Sequence, residues 1–109
     1  MIEVIYEVSL SIKNEIFADY YAWLVEHSKQ ILTYEGFKDA KIQRLVDQSI
    51  PEHTNLVVSY TLDSMTHLGY YLTNHAAAMR KEGFERVGDK FSATRRVLEV
   101  EHVLIHEEC

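Results

Sequence analysis

Ile2-Glu3-Val4-Ile5-Tyr6-Glu7-Val8-Ser9-Leu10-Ser11-Ile12-Lys13-Asn14 carries the change of period that decides the fold. Ile2, Val4, Tyr6, Val8, Leu10 and Ile12 alternate with Glu3, Ile5, Glu7, Ser9 and Ser11, and a period of two predicts a β-strand. From Asn14 the period becomes helical. At roughly 100° per residue, Ile16, Tyr20, Trp23, Leu24, His27, Ile31 and Tyr34 fall on one side, predicting a first helix over 14–34. Asn14 is placed to cap that helix, Glu15 to favour its first turn and Gly36 to close it. His27 is the odd member of the stripe, because a buried imidazole needs a polar partner or a ligand.

Working outward, a second strand is expected over 37–46, with Ala40, Ile42, Arg44 and Val46 on one side. The turn-rich stretch 47–55 holds the only proline, Pro51, and is short enough for a hairpin. A third strand follows, with Leu56, Val58, Tyr60 and Leu62 alternating against Val57, Ser59 and Thr61. Asp63-Ser64 opens a second helical region in which Met65, Leu68, Leu72, Ala76 and Met79 keep helical spacing to about Val87. Gly69, Asn74 and Gly83 weaken it, and a division into two helices near Asn74-His75 fits the pattern. Gly88-Asp89 ends it, and a last strand starts near Phe91 with an apolar pattern reaching Ile105.

The order βαββαβ, with short connections and right-handed crossovers, predicts an α+β ferredoxin-like fold: a four-stranded antiparallel sheet with its helices on one face. The 109 residues suit one domain, 1–109, with one core. Apolar residues make up 47% and charged ones 26%, which excludes a disordered chain. Net charge is −6 and the basic residues are scattered, so nucleic acid is not an expected partner. No apolar run nears the roughly 18 residues of a membrane span, and the N-terminus has no basic region before its apolar stretch. The expected compartment is the cytoplasm.

Two helices cover one sheet face, yet Ile5, Val57, Leu98 and Val100 fall in the phase of the other. Those residues, and the overhanging Val100-Glu101-His102-Val103-Leu104-Ile105, call for cover by a second copy. A homodimer through the sheet face is the expected assembly.

Taken with the element order, the spacing from Trp23 to His27, Gly36-Phe37, His75-Ala76-Ala77-Ala78-Met79-Arg80, Phe91 and Arg95 carry a resemblance. The chain resembles, over nearly its whole length, a bacterial family of uncharacterised single-domain proteins in the dimeric α/β-barrel group. The resemblance implies a ferredoxin-like subunit that dimerises sheet to sheet, with a pocket between helices and sheet. That group includes cofactor-free monooxygenases, haem-degrading oxygenases, isomerases, lyases and proteins of no known activity, so it chooses no reaction. The sequence departs from the family at Ala77, where a proline is common, and at Ser28, where an aliphatic residue is common.

Five residues are candidates for a ligand site. His27 is the candidate proton acceptor, since imidazole titrates near neutrality; the structural alternative is a core histidine bonded to a protein group. His75 is the second histidine, with a surface position as its alternative. Arg95 is in phase with Phe91, Ala93 and Val97 and suits a carboxylate or phosphate, unless Glu99 or Glu26 pairs with it. Trp23 and Tyr60 are candidate walls with polar handles, or plain core. No metal site is expected, because His27 and His75 lie on different helices without ligand spacing. Glycine-rich phosphate loops, nucleophile elbows and paired cysteines are absent, Cys109 being the only cysteine, and no cofactor is expected. The leading functional reading is a small dimeric protein binding a small organic ligand, an anion being one option, between helices and sheet. Its alternatives are a non-catalytic interaction homodimer with a filled core, and a cofactor-free monooxygenase- or isomerase-like enzyme.

Overall fold

The computed structural model describes residues 2–47 and 51–107. Strand β1 (Val4–Lys13) leads through a single 3₁₀ turn (Asn14–Ile16) into helix α1 (Phe17–Ile31). Strands β2 (Phe37–Arg44) and β3 (His53–Leu62) follow, then helices α2 (Met65–Asn74) and α3 (Ala76–Val87), and strand β4 (Phe91–Glu99) closes the chain of elements. The sheet order is β2-β3-β1-β4, antiparallel throughout. This is the ferredoxin-like arrangement that the change of period predicts.

The core follows the alternation. Val4, Tyr6, Leu10 and Ile12 of β1 and Leu56, Val58, Tyr60 and Leu62 of β3 are buried. They pack with Tyr20, Leu24 and Ile31 of α1, Leu68 and Tyr71 of α2, and Ala76 and Met79 of α3. Burying these faces removes apolar surface from water at roughly 25 cal/mol per Å², the main favourable term holding the layers together.

Several boundaries differ from expectation, each for a local reason. Asn14 does not cap α1: its Oδ1 accepts a bond from the Thr54 hydroxyl at 2.7 Å, and the helix starts three residues later. Helix α1 stops at Ile31 rather than Tyr34, because the Thr33 hydroxyl and amide both bond the Gln30 carbonyl, pulling the chain into a tight turn. Gly36 then takes φ +92°, a left-handed value, where the turn meets α2; a Cβ there would collide with the His67 ring. Strand β2 ends at Arg44, and Val46, expected in the strand, is 97% exposed. Strand β3 begins at His53 because β1 runs on to Lys13 and supplies it a partner.

Strand β4 ends at Glu99, not Ile105. Its partner runs out: Glu99 pairs with Val4, the first residue of β1. After one further bond, from the Val100 amide to the Glu3 carbonyl, the segment leaves the sheet. Val103, Leu104 and Ile105 are 67%, 85% and 83% exposed. The open sheet face is also less apolar than expected. Ile5, Val57 and Leu98 share it with Ser9, Ser11, Ser59, Thr94, and the ion pair of Arg96 with Glu7.

Candidate functional site

Helix α1 lies over the sheet so that Tyr20, Trp23 and His27 point toward β1, β3 and β4, and these residues edge a cavity of about 60 Å³ between helices and sheet. Tyr6 of β1 and Tyr60 of β3 line it from the sheet, with Tyr71 of α2, Arg80 of α3, and Phe91 and Arg95 of β4. The volume corresponds to a few non-hydrogen atoms, well below the ~150 Å³ that holds a benzene ring. The aromatic walls pack on one another, with Tyr20 5.4 Å from Trp23 and 5.1 Å from Phe91 between ring centres.

His27 stacks on Trp23 with ring centres 4.3 Å apart, the four-residue spacing having placed the two on one face. Its side chain is only 11% exposed, and its Nδ1 is buried without a hydrogen-bond partner among the described residues. Burial lowers the imidazole to about 4, so the ring is neutral at pH 7. The Glu82 carboxylate, 3.9 Å from Nδ1, is beyond hydrogen-bond reach and faces an uncharged ring.

The phenols divide into one that is paired and three that are not. Tyr60 shares a 3.1 Å hydrogen bond with Ser28, whose hydroxyl is buried beside His27 on α1. Tyr6, Tyr20 and Tyr71 are equally buried, and no protein group among the described residues bonds their hydroxyls. Burial raises the pKa of Tyr20, Tyr60 and Tyr71. The Arg95 charge acts against this at Tyr20 and Tyr60, with which it lines the cavity. No carboxylate among the described residues lies within ion-pair distance of Arg95: Glu26 pairs with Lys29, and Glu99 with nothing.

The structure thus brings Trp23, His27, Tyr60 and Arg95 together, and places His75 apart from them. His75 sits at the α2–α3 junction and stacks on Tyr34 at 4.3 Å, one ring behind the cavity-lining Tyr71. The break between the two helices turned it to that side. Sequence reasoning missed Ser28, Tyr6, Tyr71, Arg80 and Gly83. Ser28 had been visible as a departure from the family, and a polar residue next to a buried histidine was the available signal. Gly83 leaves room for the indole: a Cβ there would sit 2.9 Å from Trp23.

A second polar cluster lies at the start of α2. His67 Nδ1 donates to Asp63 Oδ1 at 2.6 Å, Nε2 faces Glu35 at 3.2 Å, and the Ser64 hydroxyl caps the helix by accepting the His67 amide. The bond to Asp63 raises the His67 pKa, and the same bond lowers that of Asp63. Among the described residues no three His, Cys, Asp or Glu side chains converge as a metal site, and no helix is long and apolar enough to cross a membrane.

A four-stranded sheet with helices on one face and a polar-edged cavity beneath them defines a ferredoxin-like α+β protein. The chain belongs to DUF4286, a domain of unknown function, whose family model matches residues 3–101. No curated protein matches it. Among solved structures it is similar to SnoaB, a cofactor-independent oxygenase from Streptomyces nogalater, at TM-score 0.71 and 9% identity over 95% of this chain and 98% of that one. It is also similar to a dimeric ferredoxin-like protein from an uncultured marine organism, at TM-score 0.69 and 10% identity over 95% and 100%. A conserved protein from Methanosarcina mazei gives TM-score 0.67 and 14% identity over 90% and 92%. At these identities the likeness is one of fold.

Proposed function

We propose that this protein is a cytoplasmic homodimer that binds a small organic anion in the cavity between its helices and sheet. The observation carrying the reading is that, among the described residues, a buried imidazole nitrogen without a partner, three phenols whose hydroxyls bond no protein group and a guanidinium without an ion pair line one unfilled space. Buried polar groups are normally satisfied, so a group of orphans around a cavity points to water or a ligand there. In this reading Arg95 anchors the anion, His27 and the phenols orient it, and Trp23 and Tyr60 are walls. A core kept only for packing would fill this space, which weighs against the purely structural alternative. The second copy is supported by the exposed Val103, Leu104 and Ile105 and by the dimeric neighbour.

Native mass spectrometry of gently purified protein tests the reading. The expected result is a dimer carrying a co-purifying small molecule that Arg95→Gln loses while remaining folded. A ligand-free protein that also gains no mass on incubation with small carboxylates would contradict it. Cofactor-free oxygenation or isomerisation is the second reading, favoured by the fold shared with SnoaB. It asks His27 to take a proton, and an imidazole lowered to about 4 is free to accept one but is a weak base. Binding is therefore the primary reading and catalysis the extension.

A further inference from the structure

Two cations line the proposed anion site. Of the sixteen lining residues only Arg80 and Arg95 are charged at pH 7, and no carboxylate lines the cavity among the described residues. In a chain with 17 acidic and 11 basic residues, that local balance runs against the whole. Five other cations have partners: Lys29 with Glu26, Lys38 with Glu3, Arg86 with Asp19, Arg96 with Glu7, and Arg44 over the Phe17 ring; Lys13, Lys41, Lys81 and Lys90 have no carboxylate within 4.0 Å among the described residues, but none of them lines the cavity. Arg80 and Arg95 have no carboxylate within 4.0 Å among the described residues. They also come from different elements, Arg80 from α3 and Arg95 from β4. The Arg95 charge acts on the phenols of Tyr20 and Tyr60, whereas that of Arg80 acts on Tyr71.

We propose that the ligand class is a small dicarboxylate whose two acidic groups are read separately, one by Arg80 of α3 and the other by Arg95 of β4. This rests on the binding reading above and deepens it. One carboxylate is satisfied by one bidentate guanidinium. A monoanion engages only one of the two guanidiniums, whereas a dianion with separated carboxylates reaches both. Two acidic groups neutralise both. The cavity volume agrees with this division, because a few atoms of a short linking body fit between the tyrosines while the carboxylates stay at the exposed arginines.

Isothermal titration calorimetry at low ionic strength and pH 7 tests the class, with malonate, succinate, acetate and inorganic phosphate as probes. The expected result is that malonate or succinate binds at least about tenfold more tightly than acetate. Arg80→Gln and Arg95→Gln should each abolish that preference and leave weak, acetate-like binding. Lys81→Gln, next to Arg80 on α3 but outside the lining, controls for general charge and should change nothing. Acetate binding as well as the dicarboxylates, with Arg80→Gln silent, would overturn the two-point reading and leave the anion site standing. Phosphate as the tightest probe would also overturn it, since one compact dianion would then satisfy both cations. Equal losses from Lys81→Gln and Arg80→Gln would assign the effect to diffuse charge and overturn it as well. No binding of any probe to the native protein would remove the anion site itself, and this proposal with it.

Discussion

His27 and His67 occupy opposite circumstances in the same small fold. His27 is almost fully covered, stacks on Trp23 and leaves Nδ1 without a partner; its pKa is lowered to about 4. His67 is half-exposed, has a carboxylate at each ring nitrogen and has its pKa raised. His67 has an evident structural task, tying the start of α2 to the α1–β2 turn. His27 makes no hydrogen bond among the described residues and resists protonation, its contact with Trp23 being a ring stack. A polar group without a bond in the fold, set at a cavity, is what the proposed binding role for His27 calls for.

The largest effect that would break this contrast is the pH dependence of His27. With a folded pKa near 4 and an ordinary unfolded value near 6.5, the unfolded chain takes up the proton first as pH falls. Stability should therefore be intact above about pH 6.5 and decline toward pH 4, by at most about 3 kcal/mol from this group. Urea denaturation at several pH values should show the decline in the native protein and a much flatter acid limb in His27→Leu. An unchanged limb would mean that the imidazole is not held neutral.

Next in size is Gly36→Ala, which places a Cβ against the His67 ring at a left-handed φ. A loss of about 2–3 kcal/mol is expected from strain and overpacking. Adding His67→Ala should recover only the part of the collision made by the ring, because the His67 Cβ position and the backbone strain both remain. Full recovery would deny the strain at φ +92°. Tyr60→Phe should cost about 1–2 kcal/mol, since it strips the buried Ser28 hydroxyl of its partner. Thermal melting that left this variant unchanged would make Ser28 self-sufficient.

The smallest effect is at His67. Its raised pKa means that its contribution is complete below about pH 6.5 and fades as pH rises through the folded value. The partner Asp63, lowered, contributes above its unfolded pKa of 3.8 and loses that contribution as pH falls through the folded value. His67→Gln should therefore lower the melting temperature slightly at mildly acidic pH and make no difference in alkaline buffer. A difference that grew with pH would reverse the assignment.

The fold was legible because each strand and helix announces its period locally. The division near Asn74-His75 was legible too, from weak helix formers at the junction. Elements whose limits depend on a partner were not. The end of β4 is set by where β1 begins, and Val103-Leu104-Ile105 reads as strand only when no partner is considered. Asn14 was misjudged for a similar reason, since Thr54, forty residues away, claims its oxygen.

At the site, Trp23, His27, Tyr60 and Arg95 came from phase within single elements. Arg80 did not, because it follows the break at His75, which resets the helical phase; Tyr71 precedes the break, three residues after Leu68, and its inward direction alone did not tell a site residue from core. The same break sent His75 to the Tyr34 side. Tyr6 was visible as an inward strand residue, but nothing local told its unpaired hydroxyl from ordinary core.

The central claim is that His27 is kept for a ligand rather than for the fold, and the unfolding free energy of His27→Leu at pH 7 tests it most directly. With Nδ1 unpartnered, exchanging the imidazole for a leucine removes an unsatisfied polar atom and adds apolar burial. The account predicts a protein as stable as the native one or more so, measured by urea denaturation with an unchanged slope. A loss of more than about 2 kcal/mol would contradict it, and would make His27 a structural residue after all.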